Sequence, residues 1–236
     1  MIITSTDNDK LKLVRKLSQR KHREREGLFV TEGEDLLAAG LGAGLRPELV
    51  LTRAGEDLGG TEVERELLDS VSALGSGTRV VAVWPLTRNQ VVGNRLVVYL
   101  HGVGDPGNVG SIVRTTAALA DADVVLGPGC ADAYGPKALR ASMGAIFAVG
   151  VSGGDFEKQP RPRVALIAHG GDPDLPEGSC ATLCLGAERE GLPADLVADC
   201  DGAWTIPVRS GQAESLGVAA AAAIALGRIG SRVGTE

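Results

Sequence analysis

A chain of 236 residues accommodates one large domain or two smaller ones with a sizeable core, and 44% hydrophobic content with 33 glycines fits a globular, turn-rich protein. Two Trp, two Tyr and three Phe are too few for base stacking on exposed rings to be a main binding device. A formal net charge of −6 excludes a protein that coats nucleic acid indiscriminately, so any grip on phosphates must come from a local concentration of Lys and Arg.

Near the start, Leu11, Val14 and Leu17 recur at helical spacing over residues 8–20, with basic residues between them. This predicts a basic amphipathic helix. Lys10, Lys12, Arg15, Lys16, Arg20, Lys21, Arg23 and Arg25 are opposed within their stretch only by Glu24, which makes a basic patch on an acidic chain. A solvated helix face is the commoner fate of such runs; RNA contact through Lys10, Lys12, Arg15, Arg20 and Arg23 is the alternative. Phe29 and Val30 predict a short strand, and residues 32–39 a helix that stops at Gly40. Residues 49–52 read as a strand, 61–74 as an amphipathic helix with Thr61 as N-cap and Glu64 closing a capping box, and 79–83 as another strand. The alternation describes a small α/β unit.

Trp84, Pro85 and the polar residues 87–94 interrupt the pattern and set a boundary near residue 90, dividing 1–90 from 91–236. Beyond it the continuous apolar run 96–100 predicts a buried parallel strand. Helix 108–120, strand 124–126, helix 137–143, strands 164–168 and 181–185 and a final helix 214–229 follow, while 150–163 reads as a loop or one short turn. Strands alternating with helices imply a second parallel sheet covered on both faces. Cys130, Cys180, Cys184 and Cys200 form no CxxC pair and have no His at metal-ligand spacing, so no metal site is expected and free thiols in a reducing cytoplasm are. The first ten residues carry no apolar signal core, no run is long enough to span a bilayer, and 218–226 reads as a buried helix; a cytoplasmic protein is expected.

The stretch Gly102-Val103-Gly104-Asp105-Pro106-Gly107 matches GxGxxG between a strand and a helix, the context of a dinucleotide fingerprint. Pro106 removes a backbone N–H where a pyrophosphate would need donors. The acidic ribose-binding residue is also out of place, since Asp121 and Asp123 precede the end of the second strand and Asp132 lies well past it. A tight loop is the better reading, and an NAD-dependent enzyme ranks third among the functions considered.

Three segments fit another pattern. The first is Asp105-Pro106-Gly107-Asn108-Val109-Gly110-Ser111-Ile112-Val113-Arg114-Thr115, continuing through Tyr134-Gly135-Pro136-Lys137-Ala138-Leu139-Arg140-Ala141-Ser142-Met143-Gly144-Ala145. The second is Leu185-Gly186-Ala187-Glu188-Arg189-Glu190-Gly191-Leu192, and the third is Ile206-Pro207-Val208 with Glu214-Ser215-Leu216-Gly217-Val218-Ala219. In order and spacing they resemble the SpoU/TrmH family of RNA 2′-O-ribose methyltransferases. Asn8 to Arg25, followed by Phe29-Val30-Thr31-Glu32-Gly33, looks like the ribosomal-protein-like RNA-binding domain that often precedes the catalytic domain in this family. That likeness favours RNA contact for the basic patch.

The resemblance implies a small N-terminal α/β RNA-binding domain, then a parallel-sheet α/β methyltransferase domain with a C-terminal trefoil knot, and a homodimer that completes the active site across its interface. It implies S-adenosylmethionine as cofactor, held at Ala168 and His169, at Leu185, Gly186 and Glu188, at Ile206, Pro207 and Val208, and at Ser215 and Leu216. Structured rRNA or tRNA is the implied partner. Exposed backbone at Ile206, Val208 and Leu216 suits an adenine edge, and Gly186 and Gly211 let the chain turn sharply.

The catalytic residues implied are Arg114, Asn108, Glu188 and Ser215. A guanidinium stays protonated, so Arg114 is read as gripping a phosphate beside the target ribose and stabilising alkoxide charge. Asn108 has two readings of equal weight, bonding the ribose or its loop and capping a helix. Glu188 is expected to order loops by accepting backbone N–H bonds, and Ser215 to touch substrate or cofactor or to cap the last helix. Where the family usually carries asparagine two residues after the motif serine, this chain has Gly217, which leaves open a non-catalytic RNA-binding or assembly factor.

Overall fold

The computed structural model describes residues 2–73, 77–86, 95–174, 180–209 and 215–233. Asn8 caps the first helix, accepting from the Lys10 N–H, and α1 (Asp9–Leu17) buries Leu11, Val14 and Leu17. The basic stretch does not run on as one helix. Gln19 is extended (φ −96°, ψ 132°), and a separate α2 (Arg20–Glu26) follows, ended by Gly27 in the left-handed conformation at φ 66°.

The N-terminal unit adds β1 (Leu28–Glu32), α3 (Glu34–Gly42), β2 (Leu49–Arg53), β3 (Thr61–Val63), α4 (Arg65–Val71) and β4 (Val80–Pro85). Its four-stranded sheet runs β1-β4-β2-β3. The helix expected over 61–74 is corrected here: Thr61 is not an N-cap but the first residue of β3, which pairs in parallel with β2, Leu51 opposite Thr61. Val63 is fully buried on that strand, and the helix starts only after Glu64. Packing outweighed a local capping signal. Nor does α3 stop at Gly40, because Gly40 lies inside it, where a Cβ would come within 2.4 Å of the Trp84 ring.

The second unit comprises β5 (Leu96–Leu100), α5 (Pro106–Leu119), β6 (Ala122–Leu126), α6 (Pro136–Ser142), β7 (Val151–Gly153), β8 (Arg163–Leu166), β9 (Thr182–Leu185), α7 (Ala194–Ala198), β10 (Gly202–Trp204) and α8 (Val218–Val233). Its six strands are all parallel, in the order β10-β8-β9-β5-β6-β7. β7 occupies part of the stretch expected to be loop, and β10 and α7 carry no sequence signal at all. Each of these strands has three residues, too few to show a period.

The two sheets share a core. Phe29 and Trp84 from the first unit meet Tyr134 and Phe147 from the second, with ring centroids 4.8–5.9 Å apart. Trp84 is fully buried, and its Nε1 donates to Thr31 Oγ1 at 2.8 Å. Beside these rings Arg23, its side chain 6% exposed, pairs with Asp132 and donates to the carbonyls of Leu17 and Ser18 at the end of α1. Arg23 is therefore corrected from an RNA contact to a structural residue. Its guanidinium closes the interface between the units and satisfies the carbonyl end of a helix.

Candidate active site

Parallel strands place all their carboxyl ends on one edge, where α/β proteins gather ligand loops. β10, β8 and β9 are neighbours, so the loops that leave them converge. Residues 167–169, 186–192 and 206–208, joined by 215–216 ahead of α8, surround a cleft of about 480 Å³, within the ~300–1,000 Å³ typical of ligand sites. Ala168, His169, Leu185, Gly186, Glu188, Ile206, Val208, Ser215 and Leu216 all line it. Pro207, between two lining residues, does not. Gly211 and Glu214 lie outside the described residues.

The lining suits an adenosine carrying a positive sulfonium. Leu185, Ile206, Val208 and Leu216 supply apolar faces, Glu188 and Glu190 put carboxylates at the cleft, and the loops bring backbone donors and acceptors. Gly186 is the tightest point, since a Cβ there would lie 2.0 Å from the Gly191 carbonyl carbon and 2.1 Å from Leu192 N. Gly186→Ala is expected to push the 186–192 loop away, costing about 1–3 kcal/mol of stability and weakening S-adenosylmethionine binding about tenfold or more. Titration calorimetry checks this, and parental affinity would remove the loop from the site.

The first motif reaches the cleft through one contact. Asp105 is the N-cap of α5, accepting from the Asn108 N–H at 3.0 Å, and Pro106 fills the first helical position. Asn108 is thus not the cap; its Nδ2 donates to Glu188 Oε1 at 2.7 Å. Glu188 takes this side-chain amide in place of the backbone N–H groups expected, and the bond ties α5 to the cleft loop. Lys137 Nζ, 2.7 Å from Asp105 Oδ2, holds the Asp105 carboxyl below the usual carboxylate range, with the Asn108 N–H adding to the effect. The pairing of Asp105 with Lys137 is not legible in sequence, because the two stand 32 residues apart with β6 between them.

Ser215 is exposed and lines the cleft, two residues ahead of the Gly217 carbonyl that accepts from Ala221 in the first turn of α8. A Cβ at Gly217 would meet nothing within 4 Å, so packing does not force the missing side chain. Arg114 is exposed on α5 and does not line the cleft of its own chain. The four cysteines are free; burial pushes the Cys180 thiol up to about 12, and Cys184 donates to Cys200, which lowers the Cys200 thiol.

The basic patch is more neutralised than its composition implied. Lys12 pairs with Asp7 and Asp9 (2.9 and 3.7 Å), Lys16 with Glu26 (2.9 Å), Arg20 with Glu24 (2.8 Å) and Arg25 with Glu26 (3.0 Å). Lys10 donates to Thr61 Oγ1, and Arg15 to the Thr6 carbonyl and Ser70 Oγ. Lys12 and Arg20 stay largely exposed, and such surface pairs exchange readily for phosphate.

Residues 95–227 match the SpoU rRNA Methylase family model, and residues 8–83 match the MRM3-like substrate binding domain. The chain is 33% identical over 239 residues to the 23S rRNA (guanosine(2553)-2'-O)-methyltransferase RlmP of Bacillus subtilis (strain 168), covering 94% of this chain and 96% of that protein. An AdoMet-bound rRNA methyltransferase from Sinorhizobium meliloti superposes with a TM-score of 0.83 at 25% identity, covering 100% of this chain and 99% of that one. An RNA 2'-O ribose methyltransferase gives 0.76 at 25% identity, covering 97% and 98%.

Proposed function

The chain belongs to the SpoU rRNA methylase family, and from that premise we propose that it methylates a ribose 2′-hydroxyl of ribosomal RNA in the cytoplasm, as a homodimer. The observation that carries the reading is the convergence of the loops after β8, β9 and β10 on one cleft, with Asn108 bonded to Glu188 at its rim. S-adenosylmethionine, when bound there, supplies a methyl group on a sulfonium centre. The cleft's apolar walls exclude water, and Glu188 and Glu190 favour a cation inside.

The hydroxyl is a poor nucleophile, so alignment and charge stabilisation carry the catalysis. Arg114 grips the phosphate beside the ribose and stabilises the alkoxide as its proton leaves. Because Arg114 is exposed and does not line its own cleft, it serves the cleft of a second copy. Leu119 on α5 and Ile224 on α8, 41% and 39% exposed on two helices packed together, support that pairing face. The C-terminal trefoil knot is supported by the family match and by residues 206–208 and 215–216 returning past the cleft to α8, which packs on α5. A division into 1–90 and 91–236 is supported by matches that end at 83 and resume at 95.

The test is methyl transfer from labelled S-adenosylmethionine to deproteinised ribosomal RNA from cells lacking the gene, with the 2′-O-methyl position mapped. A single modified ribose is expected; label on a base, or none, would sink the proposal. Lys10, Lys12, Arg15 and Arg20 are the proposed RNA contacts of the first domain. Reversing Lys12, Arg15 and Arg20 to Glu together is expected to weaken RNA binding and flatten its log–log salt dependence by up to about 3. An unchanged slope in a filter-binding series would return the patch to a solvated helix face.

A further inference from the structure

A second cavity, of about 250 Å³, opens on the same edge of the large sheet. It lies between α2, which contributes Arg20 and Arg23, and the carboxyl ends of β6 and β7, which contribute Gly127, Cys130, Ser152 and Gly153. We propose that this cavity receives a nucleobase of the RNA substrate next to the nucleotide that is methylated. The inference rests on the reading of the protein as an RNA methyltransferase.

Size, chemistry and position converge on a base. The cavity falls below the ~300–1,000 Å³ of sites for larger ligands, which suits one flat ring system and is too small for a whole nucleoside cofactor. β7 is the outermost strand of the sheet, so one side of its backbone has no ladder partner among the described residues. Tyr134 Oη takes the Val151 carbonyl there at 3.4 Å. Remaining groups on that side, with the Ser152 hydroxyl, are of the kind that read a base edge.

Arg23, 6% exposed and held by Asp132 and the carbonyls at the end of α1, is a fixed wall of the cavity. Arg20, 61% exposed and held by Glu24, stands beside it as a cation for the adjoining phosphate. In the strand order, β5 alone separates β9 at the cofactor cleft from β6 at this cavity. Two strand spacings, about 10 Å, separate the nearest edges of the two sites, so a short run of unstacked nucleotides could reach both.

Ser152 is the place to test this, because it lines the cavity and has no part in the cofactor cleft. Ser152→Phe fills the space and Ser152→Ala leaves it open. With deproteinised ribosomal RNA from cells lacking the gene, Ser152→Phe is expected to lower kcat/KM about tenfold or more, while S-adenosylmethionine affinity and the melting temperature hold. Ser152→Ala leaves the space open and removes only the hydroxyl, so it should lower kcat/KM by no more than about threefold. A benzophenone side chain introduced at position 152 and irradiated with the same RNA should crosslink to a base beside the methylated ribose.

Parental kcat/KM in a folded Ser152→Phe, or a crosslink far from the methylated ribose, would overturn the proposal. If Ser152→Phe does not fold, the crosslink decides. Should the parent chain leave ribosomal RNA unmethylated, the methyltransferase reading fails separately. In that case a crosslink from position 152 to a base still upholds the cavity, and none refutes it.

Discussion

Arg114→Ala is expected to lower methyl transfer about a thousandfold while leaving S-adenosylmethionine affinity within about twofold of the parent. Arg114 is exposed and outside the cleft of its own chain, so its removal leaves that pocket untouched. In the proposed mechanism, what is lost is the cation that holds the phosphate and meets the developing alkoxide. Single-turnover transfer combined with calorimetry separates the two effects. Arg114→Lys keeps the charge but not the planar fork, and it should recover only part of the rate.

The proposed sharing of the site between two copies makes a sharper test. Mixing Arg114→Ala with Gly186→Ala should restore activity in the hybrid dimer, because one cleft then has both an intact cofactor loop and an intact arginine. No recovery on mixing, in dimers shown to exchange, would place Arg114 at its own chain's cleft. A cofactor affinity that falls with Arg114→Ala would make it a cofactor ligand and sink the assignment.

Arg23→Ala is expected to destabilise the protein by about 3 kcal/mol or more. The side chain is 6% exposed, and its loss strands Asp132 and the Leu17 and Ser18 carbonyls together. Trp84, fully buried at the same interface, reports the change by fluorescence in a urea titration. Replacing both partners with apolar residues, Arg23→Met with Asp132→Leu, should recover much of the loss, because removing a buried pair costs less than breaking one. A deficit under about 1 kcal/mol for Arg23→Ala would mean that the aromatic contacts hold the units together without the pair.

Much of this architecture was legible in order along the chain. Leu11, Val14 and Leu17 announced a buried helix face, and the apolar run at 96–100 announced a central parallel strand. Both signals are local, since a helix or a two-sided buried strand imposes its period on neighbouring residues whatever the rest of the fold does. The loops after β8 and β9 were legible for a related reason, since each follows an apolar strand, whereas β10 gave no such signal and the 206–208 loop was legible only through its motif. The failures came where local cues competed with distant ones. Thr61 had the chemistry of an N-cap, yet Val63 beside it had a place waiting next to Arg53.

By itself the sequence determined the alternation of strands and helices, the family, and which loops gather at one cleft. Those properties are carried by runs of adjacent residues. Tertiary structure alone decided that Asn108 serves Glu188, 80 positions away, and that Arg23 is sealed against Asp132, 109 positions away. It also decided that Arg114, exposed on α5, does not line its own cleft. A side chain's partner across such separations depends on how two sheets and their covering helices pack, and no period or spacing within the chain encodes that geometry.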